Sequence, residues 1–339
     1  MPVDDNSGPA HGEAGAASAG AMQPFQGQES AGTSGGLTQS PKNVPVQVVK
    51  PIQFHMEGGS GGPSSPVQAG AFDGEFSQAM GVDDDDDTIM NLQRQQEEID
   101  REQKEQPLVT EKLPLRDLVM RYEDGSLFFQ KALELAEKYK HVQFIRRDGN
   151  CFYRAVLSAA LDVMQSDPAT FNRFCDHCNG WLDRIIALGY TEFTASDICE
   201  YFTDAINAVK VGKREYSSLM DDLTNDGSSN YYVSFLRLIS ASFLREKEED
   251  YNPFLTEYAT MKEFCEHEVE PMWKEADHLA IVGLAHALRI PIRVEYLDQN
   301  AAPNGQSFYD FTVDGIDDEQ APSVTVLFTP GHYDVLYKN

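Results

Sequence analysis

Apolar residues in the first quarter of the chain follow no period. Residues 1–87 mix Gly, Ser, Ala, Gln and Pro, with no Tyr or Trp and only four Phe. Such a stretch cannot bury enough apolar area to offset the entropy of ordering, so it is expected to be a disordered, low-complexity acidic tail. Its most apolar part, 44–54, reads as linker sequence or as a short docking motif. Over 88–106, Gln, Glu and Arg dominate around a thin stripe of Ile89, Leu92 and Ile99, with Asp87 or Thr88 placed to cap. The pattern predicts a helical arm that is either solvated or ordered against a partner.

From about Pro107 the apolar residues adopt helical spacing. Helices are predicted over 113–122, 127–139, 152–164, 168–188, 196–211, 217–223, 231–245, 261–269 and 276–288. Thr194 or Ser196 is placed to cap the fifth, and Pro291 stops the last. Segments rich in β-branched and aromatic residues then follow at 292–297, 308–313, 324–328 and 333–337, separated by loops of Gly, Pro, Asn and Asp. Residues 142–145 read as a short strand or extended lead-in. Helices first and strands last predict an α+β domain over 107–339, helix-rich with a small C-terminal β-sheet.

Composition narrows the function classes. The chain of 339 residues has a formal charge of −28, and 83–87 are five consecutive aspartates. Nucleic acid, whose phosphates need Lys and Arg, is a poor partner for it. No run is long enough to cross a bilayer. Five cysteines, without the basic and apolar regions of a secretory signal at the start, point to a reducing compartment: cytoplasm, with the nucleus also open. A free monomer is expected.

The chemistry concentrates at two distant places. Asp148-Gly149-Asn150-Cys151-Phe152-Tyr153-Arg154 sets a cysteine behind a flexible turn and at the head of an apolar helix. A helix start offers unpaired N–H groups and the positive end of the dipole, which suit a thiolate and a developing oxyanion. Near the other end, Pro330-Gly331 leads into His332-Tyr333-Asp334. On a strand His332 and Asp334 share a face, so the carboxylate can fix one imidazole nitrogen and leave the other for Cys151. Each half alone also fits an ordinary turn or a polar edge strand; together they define a Cys-His-Asp hydrolase. The other histidines have weaker local support. His278 and His286 sit in an apolar helix, His267 lies between glutamates, His11 and His55 fall in the tail, and His141 has no obvious orienting acid. Cys175-Asp176-His177-Cys178 is half of a zinc pattern without a second cluster, so no metal and no cofactor is expected. No nucleotide-binding glycine motif occurs.

The two motifs resemble those of the ovarian-tumour cysteine proteases, and specifically the otubains. Gly189-Tyr190-Thr191-Glu192-Phe193-Thr194, Tyr232-Val233-Ser234-Phe235-Leu236-Arg237, Phe264-Cys265-Glu266-His267-Glu268-Val269-Glu270-Pro271-Met272 and Val294-Glu295-Tyr296 are similar to otubain segments. The likeness covers about 89–338. It implies cleavage of isopeptide bonds between ubiquitins, with preference for the linkage that marks proteins for the proteasome. Carried over by position, Cys151 is the nucleophile, His332 the general base and Asp334 its orienting acid. Asp148 matches the family's active-site aspartate, whose surroundings supply oxyanion stabilisation. Turn geometry adds the backbone N–H groups of Asn150 and Cys151 as oxyanion donors. Arg147 stands where a proline is expected in close relatives. The resemblance also implies binding of ubiquitin and polyubiquitin, and, in some otubains, of ubiquitin-charged conjugating enzymes without cleavage. There an N-terminal helix contributes by contacting ubiquitin, and 89–106 occupies its place. A cysteine hydrolase acting on ordinary peptides ranks last, because papain-like and caspase-like cysteine runs are absent.

Overall fold

The computed structural model describes residues 104–298, 307–313, 315–316 and 324–338, with Arg94, Glu98 and Arg101. The expected tail, 1–87, lies outside the described residues. Of the expected arm, Arg94, Glu98, Arg101, Lys104 and Glu105 are helical.

The described residues form one six-stranded sheet, with helices on both faces. The strands are β1 (Leu113–Pro114), β2 (His141–Gln143), β3 (Ile292–Tyr296), β4 (Phe308–Phe311), β5 (Val324–Thr329) and β6 (His332–Tyr337). Their spatial order is β1-β2-β6-β5-β3-β4, antiparallel except for the parallel pair β3–β5. All five predicted strand segments are present. The predicted helix 113–122 is instead β1 followed by the short helix α1 (Arg116–Val119), because Leu113 and Pro114 pair with Val142 and His141.

Along the central strands side chains alternate between two cores, as the two-residue period requires. Val324, Val326, Tyr333, Val335 and Tyr337 face the large core beneath most helices. Val142, Leu327 and Leu336 face a smaller core under α1 and α2 (Leu127–Lys138), with Leu118, Leu135 and Tyr139. Every residue of β6 is buried. His332 and Asp334 therefore sit on a strand with no solvent face.

The large core is organised around α3 (Cys151–Gln165), twelve of whose fifteen residues are buried. A helix apolar on nearly every side belongs inside, and α3 lies against β5 and β6. Next come α4 (Pro168–Asn179), capped by the Asp167 carboxylate with Pro168 at its first position, and α5 (Trp181–Ala187). The single helix predicted over 168–188 is broken at Gly180. Helix α6 (Glu192–Lys210) starts earlier than expected, behind Thr191 rather than at Thr194 or Ser196. Helices α7 (Ser217–Thr224) and α8 (Asp226–Glu246) follow; the Asn225 side chain caps α8 by accepting from Ser228 N–H at 3.1 Å. After the short α9 (Glu248–Tyr251), α10 (Met261–Phe264) runs into a π-helical turn, Cys265–Val269. Helix α11 (His278–Leu288) ends at Arg289, which takes the left-handed conformation with φ 57°.

Helices α8 and α11 cross in close contact, and Gly283 makes the crossing possible. A β-carbon on Gly283 would stand 3.0 Å from the Ser240 carbonyl oxygen and 3.1 Å from Leu244 Cγ. Gly283→Val should force the helices apart and destabilise the domain by about 1–3 kcal/mol. A urea unfolding curve with an unchanged midpoint would show that the crossing tolerates the extra volume.

Candidate active site

The site begins with a turn that glycine alone fits. Gly149 has φ +71°, and a β-carbon there would lie 2.1 Å from the Trp273 carbonyl oxygen. Only a residue without a side chain permits both the left-handed backbone and that approach. The turn is then closed from within: Asp148 Oδ1 accepts from the Asn150 N–H and from Arg154 Nη1, both at 3.0 Å. Cys151 follows as the first residue of α3, where its N–H has no acceptor within the helix.

Two buried arginines brace the turn from α3 and α8. Arg154 donates from Nε to Ser229 Oγ at 2.9 Å while its Nη1 holds Asp148. Arg237 Nη2 donates to the Gly149 carbonyl and to Asn150 Oδ1, both at 2.9 Å, and to the Lys274 carbonyl at 2.6 Å; its Nη1 reaches the Val269 carbonyl at 3.0 Å. Asn150 Oδ1 also accepts from the Trp273 N–H at 2.9 Å. The Asn150 side chain is thus a buried staple between the cysteine turn and the 270–277 segment. The two arginines and the Asn150 side chain were not assigned roles from sequence. The available signal was an arginine within an apolar helical run, at Arg154 and again at Arg237.

β6 brings in the second half. His332 Nε2 and Asp334 Oδ1 are 3.0 Å apart, and the same Asp334 oxygen accepts from the Ile145 N–H at 2.9 Å. Ile145 belongs to the lead-in of the cysteine turn, 189 residues from Asp334. Phe152, next to Cys151, meets Tyr333, next to His332, edge to face with ring centroids 5.1 Å apart. With Nε2 committed to Asp334, the nitrogen left for Cys151 is the buried Nδ1. Burial, the largest single influence, pushes the imidazole pKa down. The hydrogen bonds and negative charges of Asp334 and Cys151 outweigh it and hold the pKa at about 9.

Cys151, His332 and Asp334 therefore converge, and Asp148 stands beside them in a different position. Its carboxylate is taken up by Arg154 and by its own loop. Of the two backbone N–H groups expected as oxyanion donors, that of Asn150 is engaged in this arrangement. That N–H already donates to Asp148, so the Cys151 N–H is the donor of the expected pair without that engagement. Arg147, at the position where a proline was expected, extends to the opposite loop, with Nη1 3.3 Å from the Pro330 carbonyl and Nη2 3.4 Å from Thr329 Oγ1.

The remaining candidates have structural surroundings. His278 packs against Tyr309 and Phe311, His286 stacks on Phe243, and exposed His267 stacks on Tyr258. Cys175 and Cys178 are buried in the core; burial raises the Cys175 thiol to about 11 and pushes Cys178 well up. His177 Nε2 lies 2.6 Å from the Ala287 carbonyl. Among the described residues no group of three or more His, Cys, Asp or Glu is arranged to hold a metal, and no helix is long and apolar enough to cross a membrane.

A thiol at a helix start, a buried imidazole beside it and a carboxylate behind the imidazole form the kind of arrangement that cysteine peptidases use. Comparison with known proteins narrows the class. The family model described as Peptidase C65 Otubain matches residues 101–338, and the chain belongs to the otubain family. The ubiquitin thioesterase otubain-like protein of Caenorhabditis elegans is 41% identical over 255 residues, covering 75% of this chain and 89% of that protein. Human ubiquitin thioesterase OTUB1 is 36% identical over 235 residues, covering 68% and 83%. Among solved structures, a complex of ceOTUB1, ubiquitin aldehyde and UBC13~Ub aligns with a TM-score of 0.67 at 40% identity, covering 73% of this chain and 99% of that one. A complex of h/ceOTUB1, ubiquitin aldehyde and UBCH5B~Ub gives 0.66 at 38% identity, covering 74% and 98%.

The elevated imidazole has a consequence for stability. The folded chain keeps a proton on His332 up to about pH 9, whereas an unfolded histidine loses it near 6.5. The stabilising contribution is complete below pH 6.5 and is lost as pH rises through 9. Asp334→Asn removes the main favourable partner of that proton. The stability gap between wild type and Asp334→Asn should therefore narrow from pH 6 to pH 9.5 in urea unfolding. A gap that widens over this range would contradict the assignment.

Proposed function

We propose that the chain is a thiol-dependent deubiquitinase that hydrolyses isopeptide bonds in ubiquitin chains, with the proteasome-targeting linkage as its preferred substrate. The carrying observation is the convergence of Cys151 and His332 from opposite ends of an otubain-family domain, with Asp334 fixed behind the imidazole. The relatives, ubiquitin thioesterases, supply the substrate class.

In this reading His332 Nδ1 takes the thiol proton. The Cys151 sulfur then attacks the carbonyl carbon of ubiquitin's C-terminal glycine. The carbonyl π pair moves onto oxygen, where the Cys151 N–H and the positive end of α3 stabilise it; loss of one such donor costs about 10²–10³ in rate. Collapse of the tetrahedral intermediate breaks the C–N bond, and the imidazolium gives its proton to the departing lysine ε-amine. A thioester remains. Water, deprotonated by the now neutral imidazole, attacks it, and the thiol leaves with the returned proton. Asp334 holds the imidazole in the tautomer and orientation that serve both transfers. The raised imidazole pKa favours the imidazolium that the departing amine needs as proton donor. The five cysteines, all unpaired, suit a reducing compartment.

A panel of diubiquitins of every linkage, incubated with wild type and with Cys151→Ala, tests the reading. Cleavage should be lost in Cys151→Ala while its thermal unfolding stays close to wild type. Undiminished cleavage by that variant would remove Cys151 as nucleophile.

A second activity is favoured by the solved relatives that hold conjugating enzymes charged with ubiquitin. We propose that this chain also binds and inhibits such enzymes without chemistry, using the arm over 88–106. Arg146 Nε donates to the Gln106 carbonyl at 2.7 Å, so a truncation that leaves the domain intact must spare this residue. Deleting residues 1–103 should abolish inhibition of conjugation and leave diubiquitin cleavage in place. Equal inhibition by the truncated protein would reject the arm.

A further inference from the structure

Trp273 combines three properties seldom found together. Its surface is 65% exposed, its backbone lies in the left-handed region at φ 61°, and it is bound to the cysteine turn. Bulky side chains rarely take that conformation, and when they do the surroundings impose it. The other non-glycine residue with positive φ among those described, Arg289, ends a helix. Trp273 ends none; it stands in the irregular segment that leads to α11.

What imposes the conformation is the active-site turn. The Trp273 N–H donates to Asn150 Oδ1, and the Trp273 carbonyl occupies the space where a Gly149 side chain would be. The neighbouring Lys274 carbonyl is held by Arg237. One residue further, a Glu275 carboxylate oxygen lies 3.0 Å from where a Gly331 β-carbon would be. The 273–275 segment thus runs from the glycine two residues before Cys151 to the glycine directly before His332. It forms one wall of the reactive pair. The backbone N–H and carbonyl of Trp273 are both turned inward against the turn, and the indole is the part offered to solvent.

We propose that the Trp273 indole packs on the C-terminal Gly-Gly of ubiquitin as that tail reaches Cys151. The proposal rests on the deubiquitinase reading above. A glycine pair has no side chain for a pocket to grasp, so a site can hold it only through its peptide planes and Cα hydrogens. A flat aromatic face provides that contact, and it leaves no room for a side chain in place of glycine. Trp273 then sets both affinity for the tail and selectivity for glycine at its end.

The test uses the full chain and two substrates: ubiquitin with a fluorogenic C-terminal amide, which has a tail and no acceptor ubiquitin, and diubiquitin. Trp273→Asn removes the indole with a residue that tolerates the left-handed backbone; Trp273→Phe keeps an aromatic plane. Trp273→Asn should raise KM about tenfold or more for both substrates with kcat little changed, and Trp273→Phe should restore most of the loss. A substrate ending in alanine should be cleaved more slowly than the glycine form by wild type, with the difference reduced in Trp273→Asn. Unchanged KM in Trp273→Asn, alongside normal wild-type cleavage, overturns the proposal alone. A KM rise with diubiquitin only also overturns it, because the indole would then face the acceptor. Failure of wild type to cleave either substrate overturns the deubiquitinase reading and this proposal with it. Acrylamide quenching gives a readout independent of Trp273 variants. The second tryptophan, Trp181, is buried, so quenchable emission comes from Trp273. Ubiquitin added to Cys151→Ala should shield it, and unaltered quenching would refute the contact.

Discussion

One carboxylate oxygen joins the two ends of this domain. Asp334 Oδ1 accepts from the Ile145 N–H and bonds the His332 imidazole, so the strand that carries the base is tied to the loop that carries the nucleophile. The position is buried, and a buried carboxylate is tolerated only with its lone pairs engaged. The same constraint that keeps Asp334 inside therefore places His332 beside Cys151. Register does the rest: His332 and Asp334 are two residues apart on a strand, so both must lie on one face.

The cysteine side is held by a different device. Glycine at 149 allows the turn, and three polar side chains then lock it from below: Asp148, Arg154 and Asn150. Burying a guanidinium costs several kcal/mol unless its donors are satisfied, and the two Nη groups of Arg237 offset this by binding three carbonyls and one amide oxygen. The result is a rigid platform built from α3, α8 and the 270–277 segment. Several buried polar atoms around it have no protein partner: Asn150 Nδ2, Arg154 Nη2 and Arg237 Nε. Such groups gather where chemistry occurs more often than in an ordinary core. Trp273 extends the platform outward, since its strained backbone is a direct product of the close approach to Gly149.

Much of this was legible in the sequence, for identifiable reasons. The strands at 292–297, 308–313, 324–328 and 333–337 announced themselves by β-branched and aromatic residues, and α3 by an apolar run directly after a turn. Cys151, His332 and Asp334 were readable because turn-forming residues flank one motif and a two-residue spacing links the other pair. The edges were less readable. Leu113 and Pro114 carry helical spacing, yet pairing with β2 overrides it. The break at Gly180 was hidden because apolar positions keep their period across it. Asp148 was legible as part of the site but not in its function there: no spacing shows that its carboxylate takes up the Asn150 N–H. Arg237 and Trp273 act on the turn from more than eighty residues away, and that relation exists only in the fold.

Amide hydrogen exchange at Ile145 tests the central claim most directly, measured by NMR in wild type and in Asp334→Ala. The account predicts strong protection in wild type and its selective loss in Asp334→Ala, with the helices of the large core still protected. Rapid exchange of the Ile145 amide in wild type, or equal protection in both proteins, would contradict a carboxylate that binds the two halves of the site together.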